Sequence, residues 1–136
     1  MERDESISIR AEAEKAYKNA LAIYSGYKVG AALLASSGKI YKGCNVESSS
    51  YGLSVCAERN AVANAVVNGE RKFIAIGIYS DNGALPCGAC RQVLWDVCGD
   101  IKVYIFDTRG SYKTLRLSEL FPFPFDSEKL KERESK

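Results

Sequence analysis

Phe73-Ile-Ala-Ile-Gly-Ile-Tyr79 is apolar from end to end, with no polar side chain to turn toward water. A strand half-exposed on one face alternates polar and apolar residues; an unbroken apolar run of this length suits a strand covered on both faces. Helices must therefore lie on either side of it. Upstream, Ala61, Val62, Ala65 and Val66 recur at helical spacing, which predicts a helix over 57–68 with Gly69 as its C-terminal cap. Downstream, Val93, Leu94 and Val97 do the same over 88–98, closed by Gly99. Further out, 28–34 and 39–44 read as strands joined by Ser36-Ser37-Gly38, and 102–106 and 112–115 as strands around a turn at 107–110. Ala13, Ala16, Tyr17, Ala20, Leu21 and Tyr24 predict a first helix over 7–24. Strands alternating with helices in this order give an α/β fold, a three-layer α/β/α sandwich around a five-stranded mixed sheet. The 136 residues suffice for a single domain, with a charged C-terminal tail expected from about position 126.

Composition removes several classes of function. No apolar stretch approaches the ~18 residues of a membrane span. The N-terminal MERDES has no apolar signal core, which argues against secretion and for a cytoplasmic location. A net charge of +2 with no basic stripe gives no footprint for a nucleic acid. The chain contains no histidine, so Ser-His-Asp and Cys-His catalysis and paired-histidine metal sites are excluded. Proton transfer near neutral pH falls to a tuned carboxylate, lysine, tyrosine or thiol.

The chemistry gathers where the two middle helices begin. Cys56 stands at the threshold of one, in Val55-Cys-Ala-Glu-Arg-Asn60; Cys87 and Cys90 open the other, in Pro86-Cys-Gly-Ala-Cys-Arg91. Helix N-termini carry unpaired N–H groups and a positive dipole end, which favour thiolates. Three thiolates bind Zn²⁺ well and leave its fourth tetrahedral position to water, the arrangement of a catalytic site. On spacing alone, a closed four-sulfur site recruiting Cys44 or Cys98, or a redox dithiol at Cys87 and Cys90, also stand. Glu58 favours the catalytic reading, because the other two leave it without a task. Two positions after Cys56, it can accept a proton from water at the open corner, and negative surroundings should raise its pKa. Arg59 or Arg91 can offset the sulfur charge by donating hydrogen bonds to the ligating sulfurs. Cys98, on an apolar helix side, and Cys44, at a strand end, read as packing residues.

Cys56-Ala-Glu58 followed by Pro86-Cys87-Gly-Ala-Cys90 resembles the zinc-dependent cytidine deaminases, in the small homotetrameric class that acts on free nucleosides. Tyr24-Ser-Gly-Tyr-Lys-Val-Gly-Ala-Ala-Leu33 is similar to that family's opening motif, and Gly43-Cys-Asn-Val-Glu47 to its ribose-binding segment. The resemblance covers roughly residues 13–130. It implies one zinc per chain on Cys56, Cys87 and Cys90, with Glu58 as proton carrier. It further implies that Asn45 and Glu47 hydrogen-bond the ribose with Val46 as a substrate-binding residue between them, that Tyr27 packs on the pyrimidine and that the Ala57 backbone holds the base edge. Tyr51 and Phe125 would reach from a neighbouring subunit into shared active sites of a tetramer. The implied reaction is deamination of cytidine and 2′-deoxycytidine to the uracil nucleosides. Departures from the family pattern fall at Ile23, Tyr27, Ser48-Ser49-Ser50 and Leu85, and bear on substrate preference. A same-fold deaminase of another aminopyrimidine nucleoside such as blasticidin S, and a non-catalytic zinc or dithiol module, are the competing expectations.

Overall fold

A computed structural model describes residues 2–134. The chain runs α1 (Glu2–Lys18), β1 (Val29–Ala35), β2 (Ile40–Cys44), a single 3₁₀ turn (Tyr51–Leu53), α2 (Ala57–Val67), β3 (Phe73–Ser80), α3 (Gly88–Cys98), β4 (Lys102–Phe106), β5 (Tyr112–Arg116), α4 (Leu117–Leu120) and α5 (Ser127–Glu134). The strands form one sheet in the order β2-β1-β3-β4-β5. Only β3 and β4 pair in parallel, across the α3 crossover; the other neighbours are antiparallel. The mixed five-stranded sheet follows the expectation, with β3 at its centre.

Two apolar clusters show why β3 has no polar face. Ile76 and Ile78 pack with Ala57, Ala61, Val62 and Leu94, which puts α2 and α3 on one side of the sheet. Ala75 and Tyr79 pack with Ile9 and Ala13, which puts α1 on the other. Close approach of helix to sheet needs glycine. A Cβ at Gly43 would lie 2.2 Å from the Ala61 amide nitrogen and 2.4 Å from the Ala57 carbonyl oxygen. The first turns of α2 therefore rest directly on β2.

The first helix differs from the 7–24 expected. It starts at Glu2, in a charged segment where apolar periodicity has nothing to count, and ends at Lys18. Ala20, Leu21 and Tyr24 continue the helical spacing, but the Leu21 backbone is taken by the chain beyond β2. Its N–H donates to the Asn45 carbonyl at 2.9 Å, and its carbonyl accepts from the Glu47 N–H at 3.0 Å. The charged segment after Asp126 is helical, and exposed from Glu128 through Lys131. Among the described residues, no helix is long and apolar enough to cross a membrane.

Candidate metal and catalytic site

Cys56 and Cys87 are the N-cap residues of α2 and α3, both with extended backbone, and neither thiol caps its own helix. Both are thus free to point to a common centre. Cys90, in the first turn of α3, is fully buried beneath them. The three Sγ atoms lie within 4.8 Å of one another, and Cys56 and Cys87 are 3.8 Å apart. Tetrahedral zinc, with bonds of about 2.3 Å, holds its sulfurs about 3.8 Å apart. The donor set and spacing fit that ion. Among the described residues, neither Cys44 nor Cys98 joins the cluster. The Cys44 thiol donates to the Asn19 carbonyl instead, and burial pushes the Cys98 thiol up to about 12, so it stays protonated.

The cluster is built to hold negative charge. The neighbouring Cys90 thiol, helped by the Arg59 guanidinium, pulls Cys56 below the usual thiol range, and the same pairing pushes Cys90 up. Arg59 Nη2 stands 3.8 Å from Cys56 Sγ. Arg91 departs from the expectation that it shares this task. One residue past Cys90, it is rotated about 100° around the helix. Its Nε donates to the Pro86 carbonyl and its Nη1 to the Leu120 carbonyl, both at 2.7 Å. Arg91 thus braces the turn that delivers Cys87 and leaves the sulfurs to Arg59.

Glu58 occupies the second position of α2 and is only 4% exposed. Burial pushes its carboxyl up to about 7, and the neighbouring Cys56 charge adds to the effect. A carboxyl that gains and loses its proton near neutrality is matched to proton transfer. Glu58 lines a cavity of about 280 Å³ together with Cys56, Cys87, Ala57, Tyr27, Asn45 and Glu47. Ser25, Val29, Ile78, Ala84 and Leu85 complete its walls. Of these, Val29 and Ile78 read in the sequence only as strand residues, and Ala84 carries no signal at all.

The 45–47 segment is held between two others. Val46 exchanges backbone hydrogen bonds with Val55, 3.0 and 2.9 Å long, next to Cys56; its side chain is 44% exposed, outside the cavity wall. The Asn45 side chain accepts from the Val29 N–H and donates to the Tyr27 carbonyl, both at 2.9 Å. Glu47 accepts from the Tyr24 and Ser25 N–H groups at 2.9 Å and from the Ser25 hydroxyl, which hold its carboxyl below the usual range. Asn45 and Glu47 therefore shape the 24–29 turn as well as facing the cavity. Tyr51 lies on the surface, its ring edge-on to Tyr24 at 5.9 Å. Phe125 is also exposed, its carbonyl accepting from Gln92 at 2.7 Å. Neither lines this chain's own cavity.

Three clustered sulfurs, two of them lining a cavity, and a buried carboxyl beside them fit a zinc-dependent hydrolase of the α/β class. Residues 1–106 match the family model described as the cytidine and deoxycytidylate deaminase zinc-binding region. The chain belongs to that family. It is 43% identical over 123 residues to the cytidine deaminase of Sporosarcina psychrophila, covering 88% of this chain and 90% of that one. Against the cytidine deaminase of Halalkalibacterium halodurans the identity is 42% over 120 residues, covering 86% and 91%. The crystal structure of cytidine deaminase from Burkholderia pseudomallei superposes with a TM-score of 0.83 at 39% identity, covering 87% of this chain and 97% of that one.

Proposed function

We propose that this chain hydrolyses cytidine and 2′-deoxycytidine to uridine and 2′-deoxyuridine, releasing ammonia. The observation that carries the reading is the shared cavity. Glu58, Cys56 and Cys87 line it, and Asn45 and Glu47, which suit ribose hydroxyls, belong to the same enclosure. The relatives of similar length are cytidine deaminases.

A zinc ion at Cys56, Cys87 and Cys90 supplies Lewis-acid activation of water. Glu58 does the proton work: it takes the proton from the attacking water, delivers it to the pyrimidine ring nitrogen, and then assists departure of the amine as ammonia. Its burial keeps that proton available near neutral pH. Tyr27 and the Ala57 backbone orient the base, so that water, carboxyl and ring carbon meet in line. Arg59 moderates the charge of the sulfurs.

The cavity favours a nucleoside over a nucleotide. No lysine or arginine lines it among the described residues, while Glu47 and Glu58 do; a phosphate would meet like charge without a cationic partner. In this reading the chain forms a homotetramer with shared active sites. Tyr51 and Phe125, 74% and 56% exposed, enter neighbouring pockets, and Leu53 and Phe123 add apolar surface for the contact. Five free cysteines suit a reducing, cytoplasmic setting.

The test combines zinc content, cytidine turnover followed by ultraviolet absorbance, and the Glu58→Ala variant. Wild type should carry one zinc per chain and release ammonia; the variant should keep the zinc and lose turnover. Turnover retained by the variant would remove Glu58 from the mechanism. Light scattering checks the tetramer.

A further inference from the structure

Tyr27 carries a hydroxyl that packing on a base does not require, and the structure gives that hydroxyl a partner. Tyr27 Oη donates to Asn82 Oδ1 at 2.5 Å, across 55 residues of sequence. Asn82 belongs to the segment 81–85 between β3 and α3, whose Ala84 and Leu85 line the same cavity as Tyr27.

The two ends of this bond are held by different parts of the chain. Tyr27 is anchored: its N–H donates to the Ser25 hydroxyl at 3.0 Å, and its carbonyl accepts from Asn45 at 2.9 Å. The 81–85 segment is exposed at Asp81, Asn82 and Leu85, and turns on Gly83 with φ +68°. Its other ties run to residues outside the cavity lining: Tyr17 of α1 donates to the Asp81 carboxylate, Thr108 to the Asp81 carbonyl at 3.2 Å, and the Ala84 N–H to the Ser80 hydroxyl at 2.9 Å. Among the described residues, the Tyr27–Asn82 side-chain bond alone joins this segment to a residue lining the cavity.

We propose that Asn82 is a positioning residue for the pyrimidine pocket: by accepting the Tyr27 hydroxyl it fixes the 81–85 segment, and with it Ala84 and Leu85, against the platform on which the base rests. The proposal rests on the deaminase reading for its substrate. The tether itself is testable without one. One hydrogen bond corresponds to roughly a three- to tenfold change in an equilibrium, so its loss should loosen the pocket without dismantling the metal corner.

Tyr27→Phe, Asn82→Ala and the double variant are compared with wild type for cytidine KM and kcat, zinc content, and hydrogen exchange of the 81–85 segment by mass spectrometry. Each single variant should raise KM about three- to tenfold and change kcat by less. Segment exchange should quicken several-fold, with zinc content unchanged. The double variant should be no worse than the worse single one, because both remove one bond. Asn82→Asp, which keeps an acceptor oxygen, should restore KM. Additive effects in the double variant, unchanged exchange, or Asn82→Asp behaving as Asn82→Ala would each overturn the proposal. If wild type fails to turn over cytidine, the deaminase reading falls, and unchanged or quickened exchange still decides the tether.

Discussion

Asn60, one turn into α2, donates its side-chain N–H to the carbonyl oxygen of Cys44 at 2.8 Å. This bond locks the helix that starts with Cys56 and Glu58 to the strand end that continues into Asn45 and Glu47. Together with the Val46–Val55 backbone pair, this half-buried amide holds the two halves of the proposed site in register.

Asn60→Ala leaves the Cys44 carbonyl without its donor. A lost bond to a shielded group costs about 1–2 kcal/mol, so thermal unfolding should shift down by several degrees. Because the change sits one turn from Cys56, zinc should also be surrendered more readily in a competition with a chelator. Unchanged chelator competition would show that α2 holds its place without this bond.

Gly43→Ala should be far more damaging than its size implies. The added methyl meets Ala61 and Ala57 backbone atoms at 2.2 and 2.4 Å, where no side chain can rotate away. Overpacking of this kind costs about 1–3 kcal/mol or more. Gly52→Ala, where nothing lies within 4 Å and φ is not positive, serves as the control and should stay within about 0.5 kcal/mol. Denaturant titrations of the two variants give the comparison directly.

The cysteines should separate into two groups. Cys90→Ala should abolish zinc binding, since it removes the buried sulfur of the cluster. Cys98→Ala should leave the zinc content at wild-type level and cost only about 1 kcal/mol of packing. Metal analysis after gel filtration distinguishes the outcomes; loss of zinc in Cys98→Ala would contradict the three-sulfur site.

Alkaline pH should release the Tyr17–Asp81 contact. The hydrogen bond to Asp81 pushes the Tyr17 phenol up to about 12 from an ordinary value of 10. A group whose folded pKa is raised stabilises the fold fully below its unfolded pKa, and that contribution disappears as pH climbs through the folded value. Stability from this contact should thus be complete below pH 10 and gone above about 12. Tyr17→Phe should be less stable than wild type at pH 8, and the gap should close over that interval in unfolding experiments.

Cys56, Glu58, Cys87 and Cys90 were legible because their spacing and helix-start position are local properties, and the β3 run announced the layers on both sides. The end of α1 was not legible: Leu21 has helical spacing, and only its pairing with residues 45 and 47 reveals that it has left the helix. The partners of Arg91 are hidden in the sequence for a related reason, since the carbonyl of Leu120 that draws it comes from far along the chain. Asn60 and Asn82 were invisible because an asparagine amide takes its meaning from whichever distant group it meets.

The placement of the sulfurs has a consequence for folding. Roughly thirty residues lie between Cys56 and Cys87, enclosing all of α2 and β3. An ion gripping both ends ties that stretch into a ring. Closing a ring of this length in the denatured chain removes disorder worth about 4 kcal/mol on the polymer model used for covalent bridges. Metal starvation would then leave a chain that is slacker as well as idle, loosest where α2 and α3 begin.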